Sequence, residues 1–321
     1  MKTTPLFTLF LALIGVLGLT LWAAEKEEED KKTKHIVFLV GDDLNHASGT
    51  HEFYAGGMLL QQSLANSNIK DQVTSTVVNN WPEDTSVFDK ADVIVHYYKG
   101  NKWHFMNKNH ALIDKLADKG VGQLFIHFAV DPEKEAEPFI KKWTGAVYKT
   151  GLSTNPHWDL KATLEKHPIN SGIKEIDLRD EWYVKMDYEQ DCAIDYNGNL
   201  ETGKVHAIMT GKPSAMKGNK KLTRALAKNK KPSDLTVFWA KESDTGSRGA
   251  GLTGAHFHKN WAHDAFRKQV LNAIAWCAHL PVPQEGVTSP QITEDMLNEN
   301  LDKRKPKFGR LKKHPSNPVP K

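Results

Sequence analysis

Histidines and carboxylates follow nearly every apolar run of this sequence, and they are the residue types best suited to chemistry. Imidazoles and carboxylates exchange protons near neutral pH, and neutral imidazoles also bind divalent metal ions. Amide and aromatic side chains accompany them in residues 42–52, 96–104, 155–158, 180–183 and 254–263. This combination is typical of a polar pocket, provided that the fold brings the stretches together.

Apolar runs alternate with amphipathic stretches along residues 35–286. The apolar runs predict strands at 35–40, 73–78, 91–97, 121–128, 235–240 and 251–256, the last two as a pair. Helical spacing predicts helices at 56–66, 108–119 and 264–279, with another beginning at 139. The alternation is typical of a parallel sheet covered by helices on both faces. Because ligands bind outside the carboxyl ends of parallel strands, the polar stretches are expected to meet there.

Each histidine has a structural interpretation beside the functional one. His127 ends an apolar strand, where a lone histidine is more often a hydrogen-bonded core residue. His256 and His258 are two residues apart and would face the same way on an extended strand, which suits a metal ion or a polar pocket. The loop residues His46 and His51 could equally be surface polar groups.

The tryptophans near these polar residues are open to two interpretations. Trp158, Trp182 and Trp261 would either fill the core or stack against sugar rings. The sequence contains no His-Glu-x-x-His, no Cys-x-x-Cys and no glycine-rich phosphate loop, so the strong metal and nucleotide motifs are absent.

Composition narrows the class of protein. The 321 residues are 39% hydrophobic and 26% charged, which fits a soluble globular protein and excludes a polytopic membrane protein. Two cysteines, Cys192 and Cys277, can form one bridge at most. The net charge of +4 comes from the basic residues 302–321, whereas residues 25–301 carry −4. The acidic body argues against a nucleic-acid partner.

The termini differ from the body in composition. Residues 1–24 resemble an export signal or an N-terminal anchor, so the body is expected in the periplasm or outside the cell, with membrane contact only through an uncleaved leader. Residues 25–34 form a charged linker, and residues 287–321 are predicted to be a basic, disordered tail. The lysine-rich residues 212–232 are predicted to be a surface insertion.

Several motifs together resemble the ThuA-like (trehalose utilisation) family. GVGQLFIHFAV at 120–130 is similar to a strand of that family, and DEWY at 180–183 is similar to its Asp-Glu-x-Tyr motif. Residues 253–277 resemble its closing strand end and helix, and residues 35–53 fit its opening, including the pair His51 and Glu52. The resemblance covers residues 35–286.

The resemblance implies a class I glutamine amidotransferase-like α/β fold, a flavodoxin-like three-layer sandwich with a mainly parallel central sheet. Amidotransferases carry a nucleophilic cysteine on the sharp turn after a central strand, but the matching strand here has His127 and no cysteine. Cys277 lies inside the last predicted helix, where a buried structural thiol is expected. Glutaminase and cysteine-protease chemistry is therefore excluded.

The resemblance also implies a role in carbohydrate metabolism, with oxidised (keto) sugars or glycosides as small-molecule substrates. The candidate catalytic residues are His127, Glu181, His256 and Asp180. The candidate substrate-binding residues are His46, His51, Glu52, His157, Trp158, Tyr183, Asn260 and Trp261. The candidate ligands of a divalent metal (Zn, Mn or Fe) are His256, His258 and His127.

Two functions remain open from the sequence. An enzyme would use a histidine or glutamate to remove the proton beside a sugar carbonyl, leading to isomerisation, epimerisation or elimination. A non-catalytic carbohydrate-binding protein would use the same polar and aromatic residues without moving a proton. Shifted histidine pKa values would favour the enzyme.

Overall fold

The computed structural model describes residues 33–189, 204–227 and 231–302. The strands are β1 (Lys34–Val40), β2 (Val73–Asn79), β3 (Val93–Tyr97), β4 (Gly122–Ile126), β5 (Ala146–Val147), β6 (His157–Leu164), β7 (Asp177–Glu181), β8 (Asp187–Tyr188), β9 (Val205–Gly211), β10 (Thr236–Glu242) and β11 (Arg248–Leu252). The helices are α1 (Phe53–Ala65), α2 (Met106–Asp118), α3 (Glu137–Thr144), α4 (Lys220–Ala225), α5 (Asp264–Cys277) and α6 (Glu294–Asn298). The predicted leader, most of the predicted linker, Cys192 and the tail beyond residue 302 lie outside the described residues.

A nine-stranded sheet in the order β2-β1-β3-β4-β11-β10-β9-β6-β7 forms the centre of the molecule. The strands β2, β1, β3, β4 and β11 pair in parallel, and the remaining pairs are antiparallel. Every strand of this sheet except β6 and β10 runs in the same direction. The predicted α/β architecture with a large, mostly parallel central sheet is thus confirmed.

Helices cover both faces of the sheet because the side chains of each strand alternate between its faces. Ile36, Phe38 and Val40 of β1 belong to a core cluster that includes residues of α1 and α5. Val37 and Leu39 point to the opposite face and belong to a cluster with residues of α2 and α3. All five side chains are completely buried, which explains why β1 is a continuous apolar run.

Most predicted boundaries lie within about three residues of the observed ones, but two differ by more. The strand predicted at 251–256 ends at Leu252, although its antiparallel pairing with the strand predicted at 235–240 is present. Residues 287–302, assigned from the sequence to a disordered tail, pack against the body. Val287, Ile292 and Leu297 are buried there, and Thr293 caps α6 by accepting a hydrogen bond from the N–H of Met296.

The lysine-rich segment at 212–227 adds α4, which Asn219 caps and Leu222 anchors in the core. Within the described part of the chain, none of the helices combines the length and apolar character needed to cross a bilayer.

Candidate active site

Three histidine side chains converge at the carboxyl edge of the sheet, and each comes from a different loop. His51 lies between β1 and α1, His127 directly follows β4, and His256 follows β11. The Nε2 atom of His51 is 2.9 Å from Nε2 of His127 and 3.0 Å from Nδ1 of His256. The distance between His127 Nε2 and His256 Nδ1 is 3.3 Å. The structure therefore brings three of the predicted site residues into mutual contact.

Left-handed backbone at non-glycine positions aims these side chains inward. The φ angles are 51° at His51, 55° at His127 and 82° at Ala255, beside His256. Such conformations cost roughly 1–3 kcal/mol each and persist where the surrounding structure enforces them. At His127 the chain turns sharply from β4 into a 3-10 helix, the place where the resemblance puts the nucleophile of an amidotransferase.

Hydrogen bonds on the far side of two rings fix their tautomers. His51 Nδ1 is 3.0 Å from Oδ2 of Asp43, and His127 Nδ1 is 2.8 Å from the carbonyl oxygen of Thr253. A carbonyl or an ionised carboxylate can only accept. Each Nδ1 therefore donates its proton outward, and the lone pair of each Nε2 faces the centre of the cluster.

Glu181, at the end of β7, connects the histidine cluster to the pocket. Its Oε2 atom is 3.6 Å from His127 Nε2 and 3.4 Å from His256 Nδ1. Its Oε1 atom is 3.2 Å from His157 Nε2 and accepts a hydrogen bond from Asn155 Nδ2 at 3.1 Å. The carboxylate thus bridges the buried imidazoles and the His157 imidazole, of which 44% is exposed.

The cluster forms one side of an open pocket of about 370 Å³. The pocket is lined by His46, Ala47, Thr50, His51, Phe128, Asn155, His157, Glu181, Tyr183 and His256. Its volume lies within the range of about 300–1,000 Å³ typical of small-molecule sites. The segment around α4 supports the rim: Asn219 Nδ2 donates to the carbonyl of His157 at 2.8 Å, and Lys221 Nζ donates to the carbonyl of Asn155 at 3.2 Å.

The protonation states follow from burial and neighbours. Burial lowers the pKa of His51 to about 3, and it also lowers the pKa values of His127 and His256. Burial opposes the charge of Glu181, but the hydrogen bond from His157 and the adjacent imidazoles outweigh it and lower the pKa of this carboxyl. At neutral pH the site holds three neutral imidazoles beside one carboxylate.

Asp43 is a buried carboxylate behind the cluster. Its Oδ2 atom is 2.5 Å from Nδ1 of His46 and 3.0 Å from Nδ1 of His51. The Lys99 ammonium lies 3.4 Å from its other oxygen. Although burial opposes ionisation, the hydrogen bonds from both histidines hold the pKa of Asp43 well below its ordinary value. Asp43 is therefore ionised and orients both rings.

Asp180 and Asn260, predicted from the sequence as catalytic and substrate-binding residues, hold a loop instead of lining the pocket. The Oδ1 atom of Asp180 accepts from the N–H of His256 at 3.0 Å, and Oδ2 accepts from the N–H of Ala255 at 2.8 Å. Asn260 Nδ2 donates to the same carboxylate at 2.8 Å. Both side chains are buried and place His256 in the cluster.

The remaining candidates from the sequence also lie outside the pocket. Trp158 and Trp261 are 1% and 0% exposed and belong to the core, so neither presents a face to a sugar. Trp182 is equally buried and packs against Gly254, where a Cβ atom would lie 2.2 Å from the indole. Glu52 is buried and accepts hydrogen bonds from the N–H groups of Gly49 at 2.8 Å and Asp302 at 3.2 Å.

Two groups of side chains among the described residues have the spacing to hold a metal ion. One consists of His51, His127, Glu181 and His256, whose ligand atoms lie within 4.8 Å of one another. The other consists of Asp43, His46 and His51. His258 belongs to neither group. The strand ends at Leu252, so the prediction that His256 and His258 face the same way on an extended strand does not apply.

Some residues of the site were not among the candidates from the sequence. Asp43 lies shortly after the end of β1 at Val40, and this position is its signal in the sequence. The adjacent Asp42 carries the same signal but is exposed. Asn155 lines the pocket from the loop before β6, and Phe128 lines it from the 3-10 helix that begins at His127. The carbonyl of Thr253 acts through the backbone and has no sequence signal.

The chain is similar to one protein family and to solved structures of that kind. The family model for trehalose utilisation, ThuA, matches residues 44–277. A ThuA-like protein from Bacteroides uniformis ATCC 8492 has a similar structure, with a TM-score of 0.50, 14% identity, and coverage of 77% of this chain and 92% of that chain. A ThuA-like protein from Parabacteroides merdae ATCC 43184 gives a TM-score of 0.48 and 13% identity over 81% of this chain and 98% of that chain. The search of curated proteins gave no match.

Proposed function

Because the chain belongs to the ThuA family of trehalose utilisation, we propose that it is an enzyme of carbohydrate metabolism that acts on a sugar carrying a carbonyl group. The observation that carries the proposal is the pairing of Glu181 with His157 at the pocket, 3.2 Å apart. A carboxylate that orients an accessible imidazole is an arrangement suited to proton transfer. The gathering of three buried histidines and a carboxylate beside one pocket also favours an enzyme over a plain binding protein.

The His157 imidazole is the base in this proposal. It takes the proton from the carbon beside the sugar carbonyl, and the electron pair of that C–H bond moves onto the carbonyl oxygen. The imidazolium that results is stabilised by Glu181, which is already ionised because its pKa is lowered. This order of events resembles other carboxylate–histidine pairs, in which the carboxylate orients the ring without itself taking the proton.

Tyr183 is placed to stabilise the oxygen on which negative charge develops. Its side chain lines the pocket, and burial raises the pKa of its hydroxyl well above the ordinary value, so that it keeps its proton and can donate. Return of the proton from the opposite face gives epimerisation, and return at the neighbouring carbon gives isomerisation. Loss of a substituent from the next carbon gives cleavage of a glycoside.

Cys277, the cysteine within the described residues, is not a nucleophile in this chemistry. Cys277 is completely buried in α5, and burial raises its pKa to about 12. We also propose that the protein acts outside the cytoplasm, a proposal that rests on the leader-like residues 1–24 alone.

The test is deuterium exchange in D2O, followed by proton NMR, with an oxidised (keto) disaccharide and its unoxidised parent as substrates. The proposal expects loss of the proton signal beside the carbonyl in the keto sugar only, together with a new product. Exchange should disappear in His157→Gln. It should persist in the control His35→Gln, because His35 lies near the start of β1 and the pocket lies beyond the other end of that strand. Sugar binding without exchange or product would overturn the enzyme and favour the non-catalytic carbohydrate-binding protein.

A further inference from the structure

His51 and His127 present two lone pairs to each other across 2.9 Å. Both Nδ1 protons are donated outward, to Asp43 and to the Thr253 carbonyl, so neither Nε2 atom carries a proton. His256 Nδ1 lies 3.0 and 3.3 Å from these atoms and has at most one proton for two lone pairs. His256 and the Tyr183 hydroxyl, which is 3.5 Å from His127 Nε2, can donate to these nitrogens only from outside the contact. No proton lies between the two Nε2 atoms, so their lone pairs repel each other at 2.9 Å.

The spacing of the four inward atoms is the spacing of metal ligands. The distances among the three nitrogens and Glu181 Oε2 include 2.9, 3.0, 3.3, 3.4 and 3.6 Å. In a tetrahedral zinc site with metal–nitrogen distances of about 2.0–2.1 Å, the ligand atoms are about 3.3 Å apart. A cation at the centre converts the opposed lone pairs into ligand bonds.

We propose that His51, His127, His256 and Glu181 bind one divalent first-row transition metal ion, with Zn²⁺ as the best match. Neutral imidazoles and a carboxylate are ligands that such ions prefer. Because His51, Glu181 and His256 line the pocket, the ion lies where a bound sugar oxygen can reach it. The proposal does not depend on the identity of the substrate, so its test is separate from the test of the proposed function.

Asp43 is a positioning residue for this site. It holds the Nδ1 proton of His51 outward, which keeps the Nε2 lone pair on the cation, and such outer partners affect metal affinity about 10- to 100-fold. The group of Asp43, His46 and His51 does not form a second metal site, because the proton on His51 Nδ1 and the Lys99 ammonium already balance the carboxylate.

The experiment uses the full chain, free of any affinity tag, stripped with a chelator and titrated with Zn²⁺ and with Co²⁺ as a spectroscopic probe. We expect one equivalent to bind, visible absorption bands typical of tetrahedral Co²⁺, and a rise in the melting temperature with Zn²⁺. Because this measurement is made on the unmutated protein, it does not depend on the folding of a variant. Absence of binding of either ion would overturn the proposal.

Two matched pairs of variants locate the ion. His256→Ala should lose the metal, and His258→Ala, a buried histidine two residues away and outside the cluster, should keep one equivalent. Asp43→Asn should bind Zn²⁺ about 10- to 100-fold more weakly and shift the Co²⁺ bands, whereas Asp42→Asn should match the unmutated protein. Equal binding by His256→Ala and the unmutated protein would place the ion elsewhere and contradict the site.

Discussion

The fully buried carboxylate of Asp180 accepts a hydrogen bond from the backbone N–H of His256 at 3.0 Å. The same carboxylate binds the N–H of Ala255 and the amide of Asn260, so one side chain holds the loop that carries a cluster histidine. The position of the His256 imidazole therefore depends on β7 as well as on β11.

Asp180→Asn should destabilise the protein and displace His256. In the variant, the side-chain amide nitrogen would replace a carboxylate oxygen and face a backbone N–H. That buried N–H would then have no acceptor, which costs about 1–3 kcal/mol. Urea denaturation should show this loss in the free energy of unfolding. Asp177→Asn, at the exposed start of the same strand, should unfold like the unmutated protein; equal stability of both variants would contradict the role of Asp180.

His157→Gln should reduce turnover of a keto sugar about 10²- to 10⁴-fold while binding persists, because general base catalysis typically contributes that much. Steady-state kinetics should show the loss in kcat more than in KM. A loss confined to KM would instead assign His157 to substrate binding.

The unfolding free energy should fall as the pH decreases below about 6.5. Burial lowers the pKa of His96 from 6.5 to about 3 and that of His104 to about 4, so the unfolded chain takes up these protons first. The contribution of these two histidines to the unfolding free energy is therefore fully present above pH 6.5. It declines toward pH 3, by up to about 1.4 kcal/mol per pH unit for each histidine. Urea denaturation between pH 4 and 8 should show a shallower slope for His96→Gln than for the unmutated protein, and an unchanged slope in that variant would refute the assignment.

Truncation after residue 286 should destabilise the fold by roughly 4 kcal/mol or more, because Val287, Ile292 and Leu297 are buried and each contributes about 1.5–3 kcal/mol. Truncation after residue 302 should leave the melting temperature unchanged. Thermal melts of the two truncated chains make the comparison, and similar melting temperatures would show that residues 287–302 are dispensable.

The sequence was most informative where burial acts on both faces of an element. The predicted strand at 35–40 matches β1 closely, because a short continuous apolar run is typical of a central strand whose side chains are buried on both faces of the sheet. The strand predicted at 251–256 extends too far because Ala255 adopts φ 82°, and an alanine gives no warning of a left-handed turn. The apolar residues of 287–302 are sparse and lie between polar residues, so the sequence pattern does not show that this segment packs against the body.

The site shows the same limit. The rule that parallel strand ends meet at one edge predicted where His51, His127 and His256 would gather. It does not predict that His256 joins the cluster and His258 does not, since the direction of each side chain depends on the turn at Ala255. Trp158 and Trp261 lie beside polar residues in the sequence, but only the packing shows that they are buried.

The cluster also has a consequence for the order of folding. Its contact between His51 and His256 joins residues 205 positions apart in the chain. A nascent or partly folded chain cannot hold these two rings together before β11 has taken its place beside β4. Because contacts of such long range form late, an intact cluster is a reporter of complete folding. A fragment that lacks the last third of the domain will lack the site, even if its first strands form.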